Sequence, residues 1–155
     1  MIIEGLKLYT FNRNQMDQNA FLLTDGKEAL VIDPGLNGEA VAAVCGDMAV
    51  RHILLTHGHY DHFAGLEHFP EADVFVHSGD MEMINNPDEN AAALFSASFR
   101  HIDAKPLPEG ENSFLGRSFF VKNTKGHTEG SAVFFLGGVI FTGDTLFSGT
   151  VGRTD

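Results

Sequence analysis

The sequence predicts an α/β sandwich, in which helices and sheets enclose a hydrophobic core. Three observations favour it: short apolar runs open and close the chain, strand and helix patterns alternate between them, and glycines separate the runs. The chain has 155 residues, of which 17 are glycine and 43% are hydrophobic. It is therefore predicted to form a single domain over residues 1–155 and is too apolar for a disordered chain.

The first part of the chain is predicted to form a meander of strands followed by a helix and a further strand. The meander strands are apolar runs between polar turn signals, at residues 2–10, 21–24 and 29–32. A helical pattern follows at 39–45. A β-branched run at 51–55 leads directly into Thr56 and His57, so this strand is expected to feed a polar loop.

The second part of the chain is predicted to contain short helices, an insertion and closing strands. A short helix is expected at 64–69, a strand at 73–77, and a helix from Ser78 through Ile84 that the serine hydroxyl caps. Residues 85–113 hold three prolines and an alanine-rich stretch, which favours a mobile helical insertion with a turn-rich exit. Strands are predicted at 118–123, 132–136 and 139–142, the last two joined by a two-residue glycine turn.

Charge and composition exclude several classes of partner. The chain carries 21 acidic and 10 basic residues, and its net charge of −11 repels phosphate backbones, so we expect no nucleic-acid partner. No apolar run approaches the roughly 18 residues of a membrane span, and neither a signal peptide nor a membrane anchor is expected. Cys45 is the only cysteine, which excludes an intramolecular disulfide and favours a cytoplasmic location.

The densest group of metal-ligand residue types lies at residues 57–62, which read His-Gly-His-Tyr-Asp-His. This spacing of three histidines and an aspartate is expected by chance only about 0.0015 times in a chain of this composition, which disfavours an ordinary polar loop. Alternate residues of an extended loop share a face, so His57 and His59 should point together, with Asp61 and His62 following at the next turn. Imidazole and carboxylate ligands suit zinc, and also iron or manganese.

Two later residues are predicted to complete a dinuclear metal centre. His127 lies in a glycine-flanked turn between two predicted strands, where it can supply a third nitrogen to the first metal. Asp144 follows a predicted buried strand, and its two carboxylate oxygens can bridge two cations. Alone, His127 would be read as a surface histidine and Asp144 as a turn or cap residue. The motif at 57–62 reverses both interpretations.

Four segments, in order along the chain, resemble the motifs of the metallo-β-lactamase superfamily: residues 31–35, 56–62, 126–128 and 143–144. Residues 147–155 are similar to the segment that follows the bridging aspartate in the glyoxalase II-like (hydroxyacylglutathione hydrolase-like) subgroup. The resemblance implies an αββα sandwich with a dinuclear site at one edge of the sheets. The metal ligands it implies are His57, His59 and His127 for one ion, Asp61 and His62 for the other, and Asp144 as the bridge. It also implies that Asp33 supports the ligand loop.

The sequence departs from the family pattern near its C-terminus. Members of the family have a further histidine there, in a Gly-His-Gly turn, which completes the second metal site. This sequence has no such turn, so we expect the C-terminal strand and helix to be missing and the second site to keep three of four ligands. The apolar surface left uncovered would then favour a homodimer or a complementing chain.

The resemblance implies a metal-dependent hydrolase. Two cations about 3.5–4 Å apart share a water and lower its pKa, so that a metal-bound hydroxide forms near neutral pH. With Asp61 orienting the hydroxide and moving its proton, the expected reaction is hydrolysis of a thioester or related ester-like bond in a small molecule. Lys125 and Arg153 are the nearby cations expected to contact the substrate. β-Lactamases of the family usually have a thiolate at the position of Asp144, which disfavours β-lactam substrates.

Two alternatives remain open at this stage. Mononuclear iron persulfide dioxygenases share the scaffold and use two histidines and an aspartate, and an incomplete second site favours occupation by a single metal ion. The other alternative is a metal-binding fragment without catalytic activity. Metal content distinguishes the first alternative from the hydrolase, since one iron with oxygen uptake indicates a dioxygenase and two zincs indicate a hydrolase.

Overall fold

The computed structural model of the protein describes residues 1–12, 14, 16–97 and 100–154. The larger of its two main sheets has seven strands, in the spatial order β1 (Ile2–Ile3), β2 (Leu6–Phe11), β3 (Ala20–Thr24), β4 (Glu28–Ile32), β5 (Ala49–Leu55), β6 (Asp73–Val76) and β7 (Ala104–Pro106). Strands β1 to β4 pair antiparallel, whereas β4 to β7 pair parallel. The parallel strands require crossover connections, and α1 (Gly38–Cys45) lies in the one from β4 to β5.

The smaller main sheet is entirely antiparallel. Its spatial order is β11 (Val139–Phe141), β10 (Ala132–Leu136), β9 (Arg117–Asn123) and β8 (Gly110–Phe114). A separate hairpin follows, formed by β12 (Leu146–Phe147) and β13 (Thr150–Val151). A second short helix, α2 (Tyr60–Phe63), begins directly after the loop that leaves β5.

The two main sheets pack face to face over one hydrophobic core. Alternation along the strands directs Leu30 and Leu54 of the larger sheet toward Phe119 and Phe134 of the smaller sheet. A second core covers the other face of the larger sheet, where the helix residue Val41 packs among the strand residues. The described residues therefore form three layers: helices and turns, the seven-stranded sheet and the four-stranded sheet. The predicted α/β sandwich is confirmed.

Several predicted elements are corrected by the structure. The strand expected at 2–10 is interrupted at Glu4 and Gly5, which have φ angles of 49° and 79° and form the turn between β1 and β2. The helix expected from Ser78 through Ile84 is replaced by two 3-10 turns, Ser78–Asp80 and Met83–Asn85. The first of these turns is capped by the His77 side chain, which accepts a hydrogen bond from the Gly79 amide, and not by Ser78.

The prediction of a helical insertion at 85–113 is also wrong for most of the residues that the structure describes there. Its helical content there is the 3-10 turn Ala92–Phe95, and the same range contributes one strand to each sheet, β7 and β8. Both strands lie at the edge of their sheet. Edge strands are short and half-exposed, so their apolar pattern is weak, which explains why the sequence does not reveal them.

The outer face of the smaller sheet carries a row of apolar side chains. Phe120, Phe135 and Ile140 lie side by side on three neighbouring strands, and Phe120 and Ile140 are 46% and 51% exposed. Within the described residues no helix covers this face. None of the helices in the described part of the chain has the length and apolar character needed to cross a bilayer.

We predict that this apolar face drives self-association of the chain. The pair of changes Phe120→Thr and Ile140→Thr places threonine, a residue that strands favour, at both positions and removes apolar surface, so it should shift the chain toward the monomer. Light scattering over a range of protein concentrations measures the effect. Val44→Thr, which makes a half-exposed side chain of α1 polar, is the control and should leave the association unchanged. A monodisperse monomer for the unaltered chain at every concentration would contradict the prediction.

Candidate metal centre

Loops from both main sheets converge at one end of the sandwich. Strands β4 and β5 run parallel and end side by side, so Asp33 and the loop that begins at Thr56 leave the larger sheet at the same edge. His127 lies in the connection from β9 to β10, and Asp144 lies in the 3-10 turn Gly143–Thr145 that follows β11. The Ala132 amide donates to the Thr56 carbonyl oxygen at 2.8 Å and so joins the two sheets at this point.

The first group of candidate ligands consists of His57, His59 and His127. One nitrogen from each ring lies within 4.8 Å of the others. Nδ1 of His59 is 2.9 Å from Nε2 of His127. Tetrahedral zinc places neighbouring nitrogen ligands about 3.3 Å apart, so a slight opening of this group would accommodate the ion.

The second group consists of His57, His62 and Asp144, whose candidate ligand atoms also lie within 4.8 Å of one another. His62 Nε2 is 3.2 Å from Asp144 Oδ1 and 3.7 Å from Asp61 Oδ2. The other oxygen of Asp144, Oδ2, is 3.4 Å from His127 Nε2. All six residues predicted as ligands are thus brought together. The structure differs from the expected division in two respects. His57 belongs to both groups, and Asp61 belongs to neither, although it lies beside the second group.

Each of three histidines is held by one ring nitrogen and directs the other toward the centre. His57 Nδ1 lies 3.1 Å from the Thr56 hydroxyl oxygen, His62 Nδ1 lies 2.9 Å from Asp33 Oδ2, and His127 Nδ1 lies 3.1 Å from the Arg153 carbonyl oxygen. The remaining nitrogen of His57, Nε2, is buried without a hydrogen-bond partner. A buried polar atom without a partner is costly, and a cation would relieve that cost, so these residues fit a metal ion.

Asp33 makes the contacts that a support of the ligand loop requires. It is 1% exposed and accepts hydrogen bonds from the Thr56 amide at 2.8 Å, the Thr56 hydroxyl at 2.6 Å and His62 Nδ1 at 2.9 Å. Its backbone has a φ angle of 47°, in the left-handed region that aspartate tolerates better than most residues. This turn directs the carboxylate back toward the end of β5.

Burial and charge divide the histidines of the metal-free centre into two kinds. Burial, which disfavours the charged imidazolium, lowers the pKa of His57 well below its usual range and the pKa of His59 to about 4, and repulsion from the neighbouring imidazoles lowers both further. Burial also disfavours a charged His62, but Asp33 and Asp144 outweigh it and raise the pKa of His62 to about 10. Burial acts against an ionised Asp144, yet the hydrogen bond with His62 and the nearby histidines lower the pKa of Asp144 overall.

The two cations predicted to contact substrate differ in their placement. Lys125 is 64% exposed, and its Nζ forms an ion pair with Glu129 at 2.6 Å. Arg153 is exposed and borders a cavity of about 410 Å³ beside His59 and His127. Their role in substrate binding stays a prediction, for which the placement of Arg153 is the more favourable.

Sequence reasoning missed one buried polar residue beside the centre, Asp80. The predicted helix at 78–84 concealed it, because an acidic residue in the first turn of a helix is unremarkable. In the structure it is fully buried and hydrogen-bonded to both loops that carry the first ligand group. The available signal in the sequence was the Ser-Gly-Asp segment, which follows the predicted strand at 73–77.

The fold and this site define a two-sheet α/β domain with a candidate metal centre at one end. The chain belongs to the metallo-beta-lactamase superfamily, because the sequence model of that family matches residues 13–155. A probable metallo-hydrolase of Streptococcus pyogenes is 32% identical over an alignment that covers 97% of this chain and 71% of that protein. A hydroxyacylglutathione hydrolase of Aeromonas salmonicida is also 32% identical, with 88% of this chain and 50% of that protein covered. The latter similarity is consistent with the glyoxalase II-like subgroup.

Solved structures show the same fold. The crystal structure of the B3 metallo-beta-lactamase BLEG-1 is 27% identical, with a TM-score of 0.82 over 96% of this chain and 77% of that chain. The di-iron-bound form of TTHA1623 is 30% identical, with a TM-score of 0.77 over 94% of this chain and 76% of that chain. These comparisons leave the choice of metal open.

We predict that the two metal ions bind in unequal, differently pH-dependent steps. A ligand nitrogen must be neutral, and His62, with a pKa of about 10, is protonated at pH 7, so binding at the second group should release about one proton. Its affinity should therefore rise about tenfold per pH unit through neutrality. His57 and His59 are already neutral, so the first step should be tighter. Calorimetry with zinc, in two buffers of different ionisation enthalpy, measures the proton release. Two equally tight binding steps, neither of which releases a proton, would contradict the prediction.

We predict different effects for the shared and the unshared histidine. His57→Ala should weaken both zinc-binding steps, because His57 belongs to both ligand groups, whereas His59→Ala should weaken only the first. His101→Ala, which changes an exposed histidine, is the control and should alter neither step. Zinc titration after removal of metal by a chelator measures these effects. Selective loss of the first step in His57→Ala would show that the second group does not need this ring.

Proposed function

We propose that this protein is a metal-dependent hydrolase that cleaves a thioester or related ester-like bond in a small molecule. The observation that carries the proposal is the placement of Asp144. Its Oδ1 lies 3.2 Å from His62 Nε2 and its Oδ2 lies 3.4 Å from His127 Nε2, so one carboxylate faces both ligand groups, as a bridge between two ions must. The proposed cofactors are two divalent ions, with zinc preferred and iron or manganese as alternatives.

Asp61 is the proposed catalytic residue. Two cations held by these ligands would activate a water near neutral pH and polarise the carbonyl of the substrate. Burial raises the pKa of the Asp61 carboxyl group, which makes it a better proton acceptor than an exposed aspartate. Its Oδ2 lies 3.7 Å from His62 Nε2, close enough to the second ligand group to orient the attacking water, accept its proton and return that proton to the leaving group.

Two cavities beside the centre support a substrate with two unlike parts. The cavity next to Asp61 and His62 has a volume of about 300 Å³. Its apolar walls are formed by Met16, Phe21, Ile140, Leu146 and Phe147. We place the acyl group there and the thiol part of the substrate near Arg153, in the cavity on the side of His59. The similarity to a hydroxyacylglutathione hydrolase supports a thioester, while the acyl group stays open.

The remaining features of the proposal rest on the composition of the chain and on its core. A net charge of −11 supports a small-molecule substrate over a nucleic acid, and the single cysteine supports a cytoplasmic location. The continuous core between the two sheets supports one domain over residues 1–155.

A second candidate is a mononuclear iron oxidoreductase of the persulfide dioxygenase type. One observation favours it: His57, His62 and Asp144 form a set of two histidines and one carboxylate, the ligand type of many non-haem iron oxygenases. The di-iron-bound form of the similar structure TTHA1623 supports iron as a metal for this scaffold. One iron per chain together with oxygen uptake would favour this candidate over the hydrolase.

We predict that the zinc-loaded chain cleaves an acyl-glutathione thioester, which a thiol reagent detects. Asp61→Asn keeps the size of the side chain but removes its proton-accepting charge, so kcat should fall about 100-fold or more. The first zinc-binding step should persist in this variant, because Asp61 lies outside the first ligand group. Asp47→Asn, an exposed aspartate in the turn after α1, is the matched control and should keep full activity.

A β-lactam is assayed in parallel, since BLEG-1 shares the fold. Cleavage of the β-lactam alone would redirect the proposal from thioesters to cyclic amides. Undetectable thioester cleavage with both sites loaded, or unchanged activity in Asp61→Asn, would refute the hydrolytic mechanism proposed for this chain.

A further inference from the structure

We infer that Asp80 is a positioning residue for the first ligand group, His57, His59 and His127. This inference rests on the proposed metal sites and adds a residue to them. Asp80 lies in the 3-10 turn that follows β6 and is 0% exposed. A buried carboxylate is costly unless hydrogen bonds satisfy both of its oxygens, so its contacts indicate what it does.

The contacts of Asp80 join the two chain segments that supply the first ligand group. Its Oδ2 accepts a hydrogen bond from the amide of Gly58, between His57 and His59, at 2.8 Å. The same oxygen accepts a hydrogen bond from the hydroxyl of Thr128, the residue after His127, at 2.7 Å. Its Oδ1 accepts one from the Gly130 amide at 2.7 Å. One carboxylate thus fixes the distance between the first two histidines and the third.

The backbone at this junction is packed too closely to adjust. A Cβ atom on Gly79 would lie 2.8 Å from the amide nitrogen of Gly130, and a Cβ atom on Gly130 would lie 2.7 Å from Asp80 Oδ1. Both distances are shorter than ordinary contacts, so only glycine fits on either side. The turn that carries Asp80 is therefore in direct contact with the loop that carries His127, and a displaced Asp80 would displace that loop.

The two ligand groups differ in the carboxylate that contacts them most directly. Asp33 is bonded to Thr56 and His62, whereas Asp80 is bonded on both sides of the first group and makes no described contact with His62. A neutral asparagine at position 80 has one acceptor oxygen, so its amide nitrogen would face either the Gly130 amide or the Gly58 and Thr128 donors. The first group should then lose its spacing while the second keeps its support.

The test is zinc titration of the full chain, with zinc alone as the ligand, followed by calorimetry. Asp80→Asn should weaken the first binding step about 10–100-fold, the range found for residues that orient metal ligands, and change the second step by less than about threefold. Asp33→Asn should weaken the second step more than the first, because Asp33 is bonded directly to His62 and reaches His57 only through Thr56. If Asp80 had only a structural role, Asp80→Asn would lower thermal stability and weaken both binding steps together. Selective weakening of the first step therefore distinguishes a positioning role from a structural one.

A second pair of variants keeps the test decisive if Asp80→Asn fails to fold, which far-UV circular dichroism reveals. Thr128→Val removes the hydroxyl donor to Asp80 at nearly constant volume and should weaken the first step about tenfold or less. Thr128→Ser keeps the hydroxyl and should bind zinc in the first step as tightly as the unaltered chain.

Equal weakening of both steps, or an unchanged first step in a folded Asp80→Asn or Thr128→Val variant, would overturn the inference while the metal sites stand. Absence of zinc binding by the unaltered chain would overturn the metal sites and the inference together.

Discussion

The hydrogen bonds that Asp33 accepts at the end of β4 are the interaction on which the candidate metal centre depends. They connect one carboxylate to Thr56 at the end of the neighbouring parallel strand and to His62 in α2. Asp33 is almost completely buried, so water cannot replace a lost partner, and removal of the carboxylate would leave buried donors unpaired. The orientation of the ligand loop therefore follows from the pairing of β4 with β5.

The same burial that fixes the ligand loop makes the metal-free centre electrostatically unfavourable. His57 has a buried nitrogen without a partner, and the charged His62 is held between the carboxylates of Asp33 and Asp144. A cation bound here would replace the His62 proton and would satisfy the free nitrogen of His57. Because it would bind the folded chain and not the separated loops of the unfolded one, it would also stabilise the fold by mass action.

The two-sheet core explains how ligands distant in sequence reach one point. His59 and His127 are 68 positions apart, yet their rings come within hydrogen-bond distance. Each lies in a loop anchored on a strand of a different sheet, and the core between the sheets holds those strands in place. Strands of the same two sheets contribute Phe21 and Ile140 to the apolar walls of the cavity beside Asp61, so the proposed acyl site and the metal centre are held in place by the same core.

The sequence by itself determined the class of fold and predicted the candidate ligands of the centre, because both have strong local signals. Short, nearly continuous apolar runs predict strands such as β3, β4 and β10, and the spacing of three histidines and an aspartate at 57–62 is too improbable for an ordinary loop. Only the tertiary structure decided that His57 faces both ligand groups, that residues 104–114 supply an edge strand to each sheet, and that Asp80 lies beside the centre. Those features depend on contacts between segments far apart in the chain, and local propensity carries no information about such contacts.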